Sequence, residues 1–340
     1  MITKVLPANI SSIQEASLLL QQWEIVSFPT ETIYGLFGDW LNENAVRKIF
    51  LAKHRPADNP LILHVADISD IEKYAIIENN IQHMIINKLM PGPLTIVLPK
   101  KHLVPDITTG WLDTVCVRIP DYTIARQIIR TSATALAWPS ANVSGKPSPT
   151  SSAMVLHDMN TTIPLIIDWW RTLYGIESTV VKVEQSADDY IVKILRPWFI
   201  TKEDIQDVVW DAISVIYADH GVNESPGTRY RHYSPHWRIS LLLHDFVTQI
   251  HLSHHKKVAL LATKEFLDRY QKDIDDLYAQ CGIITMPLWS VANLLECAQS
   301  LYQLYATCDN LGIEQIYIEP LPEYGVWYAL MNRIRKSIWL

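Results

Sequence analysis

Residues 48–64 read KIFLAKHRPADNPLILH, a stretch that passes from a helical repeat, through a turn rich in polar residues, into an apolar run. The helix is predicted from about Glu43 to Lys53, and Pro56 ends it soon afterwards. The run at 60–65 has the length and composition of a strand. One face of the predicted helix carries Val46, Ile49, Phe50 and Lys53. A helix followed by a strand is the repeating element of α/β domains.

The same alternation extends in both directions along the chain. Helical patterns are predicted from Ile13 to Glu24 and from Tyr122 to Arg130. Strand-like runs occur at 24–29, 60–65, 95–100, 115–120, 178–183 and 190–195. Alternating strands and helices predict an α/β fold built on a central mixed sheet.

A second, smaller α/β unit is predicted near the C-terminus. Its strand-like runs lie at 239–245, 256–262 and 313–320, and its long helical patterns at 290–312 and 324–337. This order favours a doubly wound, Rossmann-like domain. The unit contains no Gly-x-Gly-x-x-Gly turn, so a dinucleotide site is not expected there.

The chain is expected to divide into a first domain at 1–205, a linker at 206–237 and a second domain at 238–340. The linker contains the stretch SPGTRYRHYSPHW, residues 225–237, which has two prolines and no apolar period. That composition predicts a partly stiffened connection.

The composition is that of an ordinary globular protein. The chain has 340 residues, of which 49% are hydrophobic and 19% are charged, which favours two ordered domains over disorder. The net charge of -7 disfavours a dedicated nucleic-acid binder, because phosphate contacts require a basic excess.

Two further features concern the cellular compartment. The N-terminal residues lack the apolar core of a signal peptide, and no apolar run reaches the length of a membrane span. We therefore expect a cytoplasmic protein with no membrane partner. The cysteines at 116, 281, 297 and 308 form no Cys-x-x-Cys pair, so they are expected to be reduced, buried thiols.

Polar residues are concentrated first in FPTETIYGL, residues 28–36. A strand there runs into a turn in which Thr30, Thr32 and Tyr34 surround Glu31. Hydroxyl groups at the end of a strand can hold a polar ligand. A simple helix-capping turn explains the same residues equally well.

Two cations follow at the end of the predicted helix. Lys53 continues its inward-facing stripe, and Arg55 lies just beyond it, which suits a phosphate or a carboxylate. A snorkelling lysine beside an exposed arginine is the alternative. His64 ends the following strand, and no metal-ligand partner lies at a suitable spacing, so no metal site is expected.

A third and a fourth polar segment lie further along the chain. In TVCVRIP, residues 114–120, Arg118 shares a strand face with Cys116, so it must either pair with an acidic residue or bind an anionic ligand. The stretch WPSANVSGKPSPT, residues 138–150, is a loop that offers backbone N–H groups and hydroxyls to phosphates or is simply a surface loop.

Taken together, these segments resemble the YrdC-like threonylcarbamoyl-AMP synthase family in its long, two-domain form. The shared motifs, in the family's order, are PTETIYGL (29–36), KHRPADNPLILH (53–64), PGPLT (91–95), VRIP (117–120), PSANVSGKPSPT (139–150), GIESTVV (175–181) and LRP (195–197). The linker motif PGTRYRHYSP (226–235) and the C-terminal EPLPEYGVWYALMNRIRKS (319–337) match the longer form.

The resemblance implies a twisted, mixed-sheet domain with a positive, concave cavity, and a specific reaction. The amine of L-threonine captures bicarbonate as a carbamate, which attacks the α-phosphate of ATP and releases pyrophosphate. Lys53 and Arg55 are implied as catalytic residues. The threonine end is implied to contain Thr32, His64, Arg118, Trp138 and Ser178. The ATP end is implied to contain Arg55, Asn59, Thr114, Ser140, Ser148, Arg196 and Tyr233.

The resemblance also implies partners. Mg²⁺ accompanies the ATP, and the product passes to a transfer enzyme complex that modifies a tRNA adenosine beside the anticodon. Whether this chain itself binds tRNA is left open. The linker is expected to fold over the cavity as a lid, with Tyr233 reaching the nucleotide and water excluded from the anhydride.

The sequence departs from the family at several tryptophans. Trp138 stands where the family has a small residue, and Trp169 and Trp170 replace the glycines of an Asp-Gly-Gly turn. A positive φ at either of the last two would cost about 1–2 kcal/mol. At least one of these two rings is expected to pack on a neighbouring surface, namely the linker or the second domain.

Two other functions fit parts of the sequence. A double-stranded RNA binder could use the concave cavity, although the acidic net charge disfavours it. A carbamoyl-adenylate former of metal-cofactor maturation would need acylphosphatase-like and zinc-finger segments, which this chain lacks. ATP-dependent pyrophosphate release that requires threonine separates a threonylcarbamoyl-AMP synthase from the RNA binder.

Overall fold

The computed structural model describes residues 2–186, 189–211, 213–218, 237–290 and 292–338. Within these ranges the chain forms two compact units, one of 2–144 with 148–218 and the other of 145–147 with 237–338. None of the described helices is long and apolar enough to cross a bilayer.

The cysteines are free, and all are buried except Cys281, so the expectation of four buried thiols is wrong for that residue.

The first unit is built on a mixed sheet of eleven described strands. Its strands are β1 (Lys4–Pro7), β2 (Val26–Pro29), β3 (Tyr34–Asp39), β4 (Ile62–His64), β5 (Leu94–Pro99), β6 (Thr114–Arg118), β7 (Leu136–Trp138), β8 (Leu165–Asp168), β9 (Thr179–Ser186), β10 (Asp189–Arg196) and β11 (Ser214–Tyr217). They lie in the order β1-β8-β2-β3-β7-β4-β6-β5-β9-β10-β11. The predicted α/β fold class with a mixed sheet is therefore confirmed.

Helices cover both faces of this sheet. They are α1 (Ile10–Gln21), α2 (Glu43–Lys53), α3 (Ile71–Tyr74), α4 (Asn80–Leu89), α5 (Asp106–Thr109), α6 (Thr123–Ser132), α7 (Ser152–Met159) and α8 (Lys202–Val208). Two separate clusters of buried apolar residues lie between the helices and the sheet. The central strands are apolar on both sides because both of their faces are covered.

Helix α2 has the bounds expected from the sequence. The side chain of Asn42 caps its first turn by accepting hydrogen bonds from the N–H groups of residues 44 and 45. His54 ends it in a left-handed conformation with a φ of 51°. The predicted inward face is confirmed, since Val46, Ile49, Phe50 and Lys53 are all buried.

Strand β6 alternates as its sequence predicts. Val115 and Val117 lie in one apolar cluster, whereas Cys116 lies in the other, on the opposite side of the sheet. Arg118 has the same parity as Cys116 and is fully buried. The strand therefore delivers a guanidinium group into the face of the sheet that also contains Trp138.

The second unit contains a smaller parallel sheet. Its strands are β12 (Arg238–Leu241), β13 (Val258–Ala262), β14 (Ile284–Pro287) and β15 (Gln315–Ile318), in the order β12-β15-β13-β14. Its helices are α9 (Phe246–His251), α10 (Lys264–Arg269), α11 (Gln271–Cys281), α12 (Leu294–Leu311) and α13 (Gly325–Ser337). All the described pairings are parallel, which confirms the Rossmann-like α/β prediction.

The segment between the two units was expected to be a linker from residue 206 onward. Strand β11 pairs in parallel with β10, so at least this part of 206–237 belongs to the first sheet. Tyr233 and most of the expected lid lie outside the described residues. The division at 205 and the lid remain predictions.

Candidate active site

Three neighbouring strands carry the central side chains of the candidate site. Strand β4 lies between β6 and β7, and its last residue, His64, is paired with Arg118 on one side and with Leu136 on the other. Trp138, two residues further along β7, pairs with Ile62. Because alternate residues share a face, His64, Arg118 and Trp138 project from the same side of the sheet.

Arg118 forms a buried ion pair with Glu31, which lies in the turn between β2 and β3. Its Nη2 donates to Glu31 Oε1 over 2.7 Å, and its Nε donates to the carbonyl of Gly92 over 3.3 Å. The backbone N–H of Asp121 donates to the same Glu31 oxygen. Burial lowers the pKa of Arg118, and the carboxylate of Glu31 opposes that effect, so the guanidinium remains charged. Arg118 therefore pairs with an acidic residue of the protein, which is one of the two possibilities that the sequence left open.

The ion pair leaves two buried polar atoms without a partner. Within the described ranges, neither Nη1 of Arg118 nor Oε2 of Glu31 has a hydrogen-bond partner. A buried donor without an acceptor costs about 1–3 kcal/mol, so such atoms usually mark a place where a ligand or water binds. Arg118 can therefore pair with the protein and still offer N–H groups to an anion.

His64 lies next to Arg118 and is fully buried. Neither ring nitrogen has a partner with hydrogen-bonding geometry in the described part of the chain. Its ring meets the Trp138 ring edge-on, with centroids 4.4 Å apart. Burial first, and the charge of Arg118 second, lower the pKa of His64 well below its ordinary value, while a weak interaction with the Ile62 backbone opposes them. The imidazole is therefore neutral and has a free acceptor nitrogen.

Buried hydroxyl groups lie at two further predicted positions. Thr32 shares a 2.8 Å hydrogen bond with Thr30. Ser178 shares a 2.7 Å bond with Thr95 and accepts one of 3.0 Å from Arg196 Nη2. Arg196 Nε also donates to the Ser178 carbonyl. The structure thus joins Ser178, predicted at the threonine end, directly to Arg196, predicted at the ATP end.

Lys53 has a different environment from the one expected. Its ammonium group donates to the backbone carbonyls of Ser140 and Asn142, and its own carbonyl accepts from the N–H of Ser144. Burial, and then the charge of Arg55, lower the pKa of Lys53 well below its ordinary value. The side chain therefore holds the 138–150 loop through two of its carbonyls, whereas the sequence predicted that it faces the phosphates.

Arg55 stabilises the turn that follows helix α2. Its Nε donates to the carbonyl of Asn59 over 3.2 Å and its Nη2 to that of Pro60 over 2.7 Å. Asn59 is buried, and its Oδ1 is unpartnered among the described residues. Arg55 and Asn59 are thus parts of one turn that leads into β4.

Three predicted residues of the ATP end remain, namely Ser148, Thr114 and Tyr233. The hydroxyl of Ser148 donates to the carboxylate of Glu177. Thr114 begins β6, four residues before Arg118, so the two are separated by about 13 Å along the strand. The structure therefore does not place Thr114 beside Arg118. Tyr233 falls outside the described ranges.

Trp138 reshapes the face of the sheet on which it lies. Its ring centroid is 5.2 Å from the Arg118 guanidinium carbon, and its indole is buried. A Cβ placed on Gly35 would lie only 1.5 Å from Trp138 Nε1. The indole thus occupies space that exists only because residue 35 has no side chain.

The tryptophan pair in the loop after β8 behaves partly as expected. Trp169 is partly covered, its backbone N–H donates to the Tyr34 hydroxyl over 3.0 Å, and its side chain lies beside the Tyr122 hydroxyl. Trp170 is 84% exposed and has a φ of 34°, the strained conformation considered from the sequence. The partner surface of Trp169 includes residues of the first unit itself.

The acidic partners in this region were not predicted from the sequence. Glu31 neutralises Arg118, and Glu177 binds Ser148. Both glutamates stand inside motifs that were recognised, PTETIYGL and GIESTVV. An isolated Glu in a polar turn gives no sign of its partner, because pairing joins residues about ninety positions apart in the chain for Glu31 and Arg118.

A separate cavity of about 230 Å³ lies on another part of the first unit. It contains none of the predicted site residues, and its charged residues Lys73 and Arg130 already pair with Asp70 and Asp67. Because it has neither unpartnered charges nor the predicted motifs, it is not the candidate site.

Two protein-family models match this chain. Residues 18–197 match the model of the Sua5, YciO and YrdC family, which carries the description telomere recombination. Residues 200–337 match the model of the threonylcarbamoyl-AMP synthase C-terminal domain.

Two curated relatives align with nearly the whole chain. A threonylcarbamoyl-AMP synthase from Bacillus subtilis is 38% identical, covering 99% of this chain and 95% of its own length. One from Pyrococcus abyssi is 35% identical, with coverages of 96% and 93%. The crystal structure of P. abyssi Sua5 complexed with L-threonine superposes with a TM-score of 0.82 at 32% identity, covering 99% of this chain and 97% of that one.

Proposed function

The chain belongs to the Sua5, YciO and YrdC family in its two-domain form and is an enzyme of the threonylcarbamoyl-AMP synthase type, and from this premise we propose its full reaction. L-Threonine, bicarbonate and ATP give L-threonylcarbamoyladenylate, pyrophosphate and water. The threonine amine attacks bicarbonate to form a carbamate and lose water. A carbamate oxygen then attacks the α-phosphorus, and the bond to the β,γ-diphosphate breaks.

The buried pair of His64 and Arg118 is the observation that carries this proposal. Arg118 is charged, and none of the described residues partners its Nη1, which suits the carboxylate of an amino acid. His64 is neutral, and its ring nitrogens likewise have no partner in the described part of the chain, which suits the amine or the hydroxyl of threonine. A cation beside a neutral acceptor matches the two ends of an amino acid and does not match a phosphate alone.

The neutral state of His64 also suits the first chemical step. An ammonium group cannot attack bicarbonate, so the amine has to lose a proton before the C–N bond forms. The lowered pKa of His64 disfavours transfer of that proton to its ring, so the proton leaves to solvent, and the neutral imidazole accepts a hydrogen bond from the uncharged amine. A histidine that was already charged could not do so. We therefore assign His64 the role of holding the uncharged threonine amine.

The second step brings a carbamate towards a triphosphate, and both are anionic. Arg118 and Arg196, which are near enough to interact electrostatically, provide positive charge that offsets this repulsion, and Arg196 is bonded to Ser178. Lys53 acts through the 138–150 loop, because its ammonium fixes two carbonyls of that loop. No nucleophilic side chain is needed, since the substrate supplies the nucleophile, and the protein aligns it.

A magnesium ion is proposed to enter with ATP. The described residues form no cluster of three or more His, Cys, Asp or Glu side chains that could hold a metal. Mg²⁺ in nucleotide sites is bound largely by the phosphates and by water, so a dedicated protein cage is not required. When bound, it supplies charge neutralisation of the phosphates.

The cellular role is proposed from the same family membership. The product passes to a transfer enzyme complex that attaches the threonylcarbamoyl group to a tRNA adenosine next to the anticodon. A mixed anhydride hydrolyses readily, so a lid formed by the linker, with Tyr233 at the nucleotide, would protect it. A cytoplasmic location agrees with that role.

Mass spectrometry of the reaction product tests the proposal. Incubation with ATP, L-threonine and isotopically labelled bicarbonate should yield threonylcarbamoyl-AMP that carries the label in its carbamoyl carbon. Omission of threonine should abolish it. Binding of duplex RNA with no adenylate formed would instead favour the RNA-binding alternative.

A further inference from the structure

Four exposed tryptophans have a backbone conformation that favours glycine. Trp23, Trp111, Trp170 and Trp289 have φ angles of 62°, 61°, 34° and 68°. Each is at least half exposed, so burial of the indole offsets little of the cost of this conformation. A bulky residue at positive φ is a genuine outlier, because its Cβ approaches the following carbonyl group.

Trp23 occupies a position at which glycine is the usual residue. Helix α1 ends there in a Schellman motif, in which the N–H of residue 23 donates to the carbonyl of Leu20 and that of Glu24 donates to the carbonyl of Leu19. The C′ residue of that motif must be left-handed, and glycine fills it without steric cost. Here the motif is complete, but its C′ residue is Trp23.

Trp111 lies in an equally demanding turn. It follows Gly110, which has a φ of 60°, so two successive residues are left-handed. Its N–H donates to the carbonyl of Asp106, which closes the turn after α5. A turn of two left-handed residues favours glycine at both positions.

The buried tryptophans give a second, independent observation. Trp40, Trp138 and Trp198 are almost fully buried, and within the described ranges the indole N–H of each has no acceptor. Buried tryptophans usually find a hydrogen-bond partner for this group. Among the described residues, the surroundings of these three side chains therefore contain no acceptor placed for an indole N–H.

The numbers of glycines and tryptophans in the chain also suggest that tryptophan stands in place of glycine. The chain contains 11 glycines and 12 tryptophans. At the average usage of about 7%, a chain of this length would contain roughly 24 glycines. Glycine is thus scarce by about half, and the number of tryptophans nearly equals the deficit.

We propose that Trp23, Trp111, Trp170 and Trp289 stand at glycine positions, and that the cell that makes the protein inserts glycine there. Among the described residues, seven non-glycine residues have a positive φ, and four of them are tryptophans, the others being His54, Ala133 and Thr161. This recurrence of one residue type indicates a single cause in translation. A codon that one genetic code assigns to tryptophan and another assigns to glycine produces this pattern throughout a chain.

Residue 138 at the candidate site is also a tryptophan. If it too is glycine, the space between Gly35, His64 and Arg118 is open, and Arg118 Nη1 and the ring nitrogens of His64 face it. An amino-acid substrate could then lie where the indole of Trp138 now does. This consequence rests on the proposed function, whereas the readouts below do not depend on catalysis.

Peptide mass spectrometry tests the proposal on the protein isolated from its own cells. Peptides that span positions 23, 111, 170 and 289 should have masses that correspond to glycine. Masses that correspond to tryptophan at these positions would overturn the proposal, whatever the enzyme's activity.

Thermal unfolding gives a second test on the full chain. The variant with Trp23→Gly, Trp111→Gly, Trp170→Gly and Trp289→Gly should unfold at a higher temperature than the matched variant with alanine at all four positions. Both remove the indoles, but only glycine removes the Cβ. The expected gain is on the order of 2–4 °C per position. A glycine variant that unfolds at the same or a lower temperature than the alanine variant would contradict the proposal.

Discussion

His64 and Arg118 are paired residues at the ends of two parallel strands, and the charge of Arg118 helps to keep His64 neutral. Burial is the larger cause of the lowered pKa of His64, and the neighbouring guanidinium adds to it. One strand pairing therefore places a permanent cation beside a neutral acceptor. Several measurable properties follow from this relationship and its surroundings.

The lowered pKa of His64 predicts how stability changes with pH. The unfolded chain binds a proton at His64 below about pH 6.5, whereas the folded protein does not. The contribution of His64 to stability is thus complete above that pH and decreases by about 1.4 kcal/mol per pH unit below it. Urea unfolding between pH 7 and pH 5 should show a shallower pH dependence in His64→Gln than in the unchanged protein. Identical slopes would show that His64 is charged when folded.

The ion pair of Arg118 and Glu31 predicts a large effect on stability. Glu31→Gln leaves a buried guanidinium without its counter-charge and should lower the free energy of unfolding by about 3–5 kcal/mol. The double variant Glu31→Gln, Arg118→Met should recover much of that loss, because no unpaired charge remains. Denaturant titration measures both, and a double variant as unstable as the single one would argue against the pair.

Lys53 should affect both stability and turnover. Lys53→Met removes two charge-assisted hydrogen bonds to the 138–150 loop, so unfolding should become easier by about 3 kcal/mol. Turnover should fall by roughly tenfold to a thousandfold, because the loop is no longer held. From sequence, only the loss of turnover would be expected.

A control for Lys53 lies on the same helix. Lys48 forms a partly exposed ion pair with Glu24, and Lys48→Met should change stability by less than about 1 kcal/mol. Equal losses of stability in both variants would show that removal of any lysine from α2 has the same effect.

The contact between Gly35 and Trp138 predicts a coupled pair of substitutions. Gly35→Ala places a Cβ 1.5 Å from the indole nitrogen and should destabilise the protein by about 3 kcal/mol. Trp138→Gly should relieve most of that cost in the double variant. A double-mutant cycle of unfolding free energies measures the coupling. Additive effects would mean that the two residues do not compete for this space.

The fold and much of the site could be predicted from the sequence, because local patterns encode them. The bounds of α2, the inward position of Lys53 and the face of Arg118 follow from helical and strand periodicity. The partners of these side chains could not be predicted. Glu31, Ser140 and Asn142 come from distant segments, and only the sheet order brings them to Arg118 and Lys53.

We propose above that the enzyme activates L-threonine as a carbamoyl adenylate. Pyrophosphate release is its most direct measure, with L-threonine, bicarbonate and ATP supplied together and each omitted in turn. Pyrophosphate should be released only in the complete mixture. In Arg118→Met the rate of release should fall markedly because the KM for threonine rises. Release at the full rate without threonine would show that the enzyme does not activate threonine.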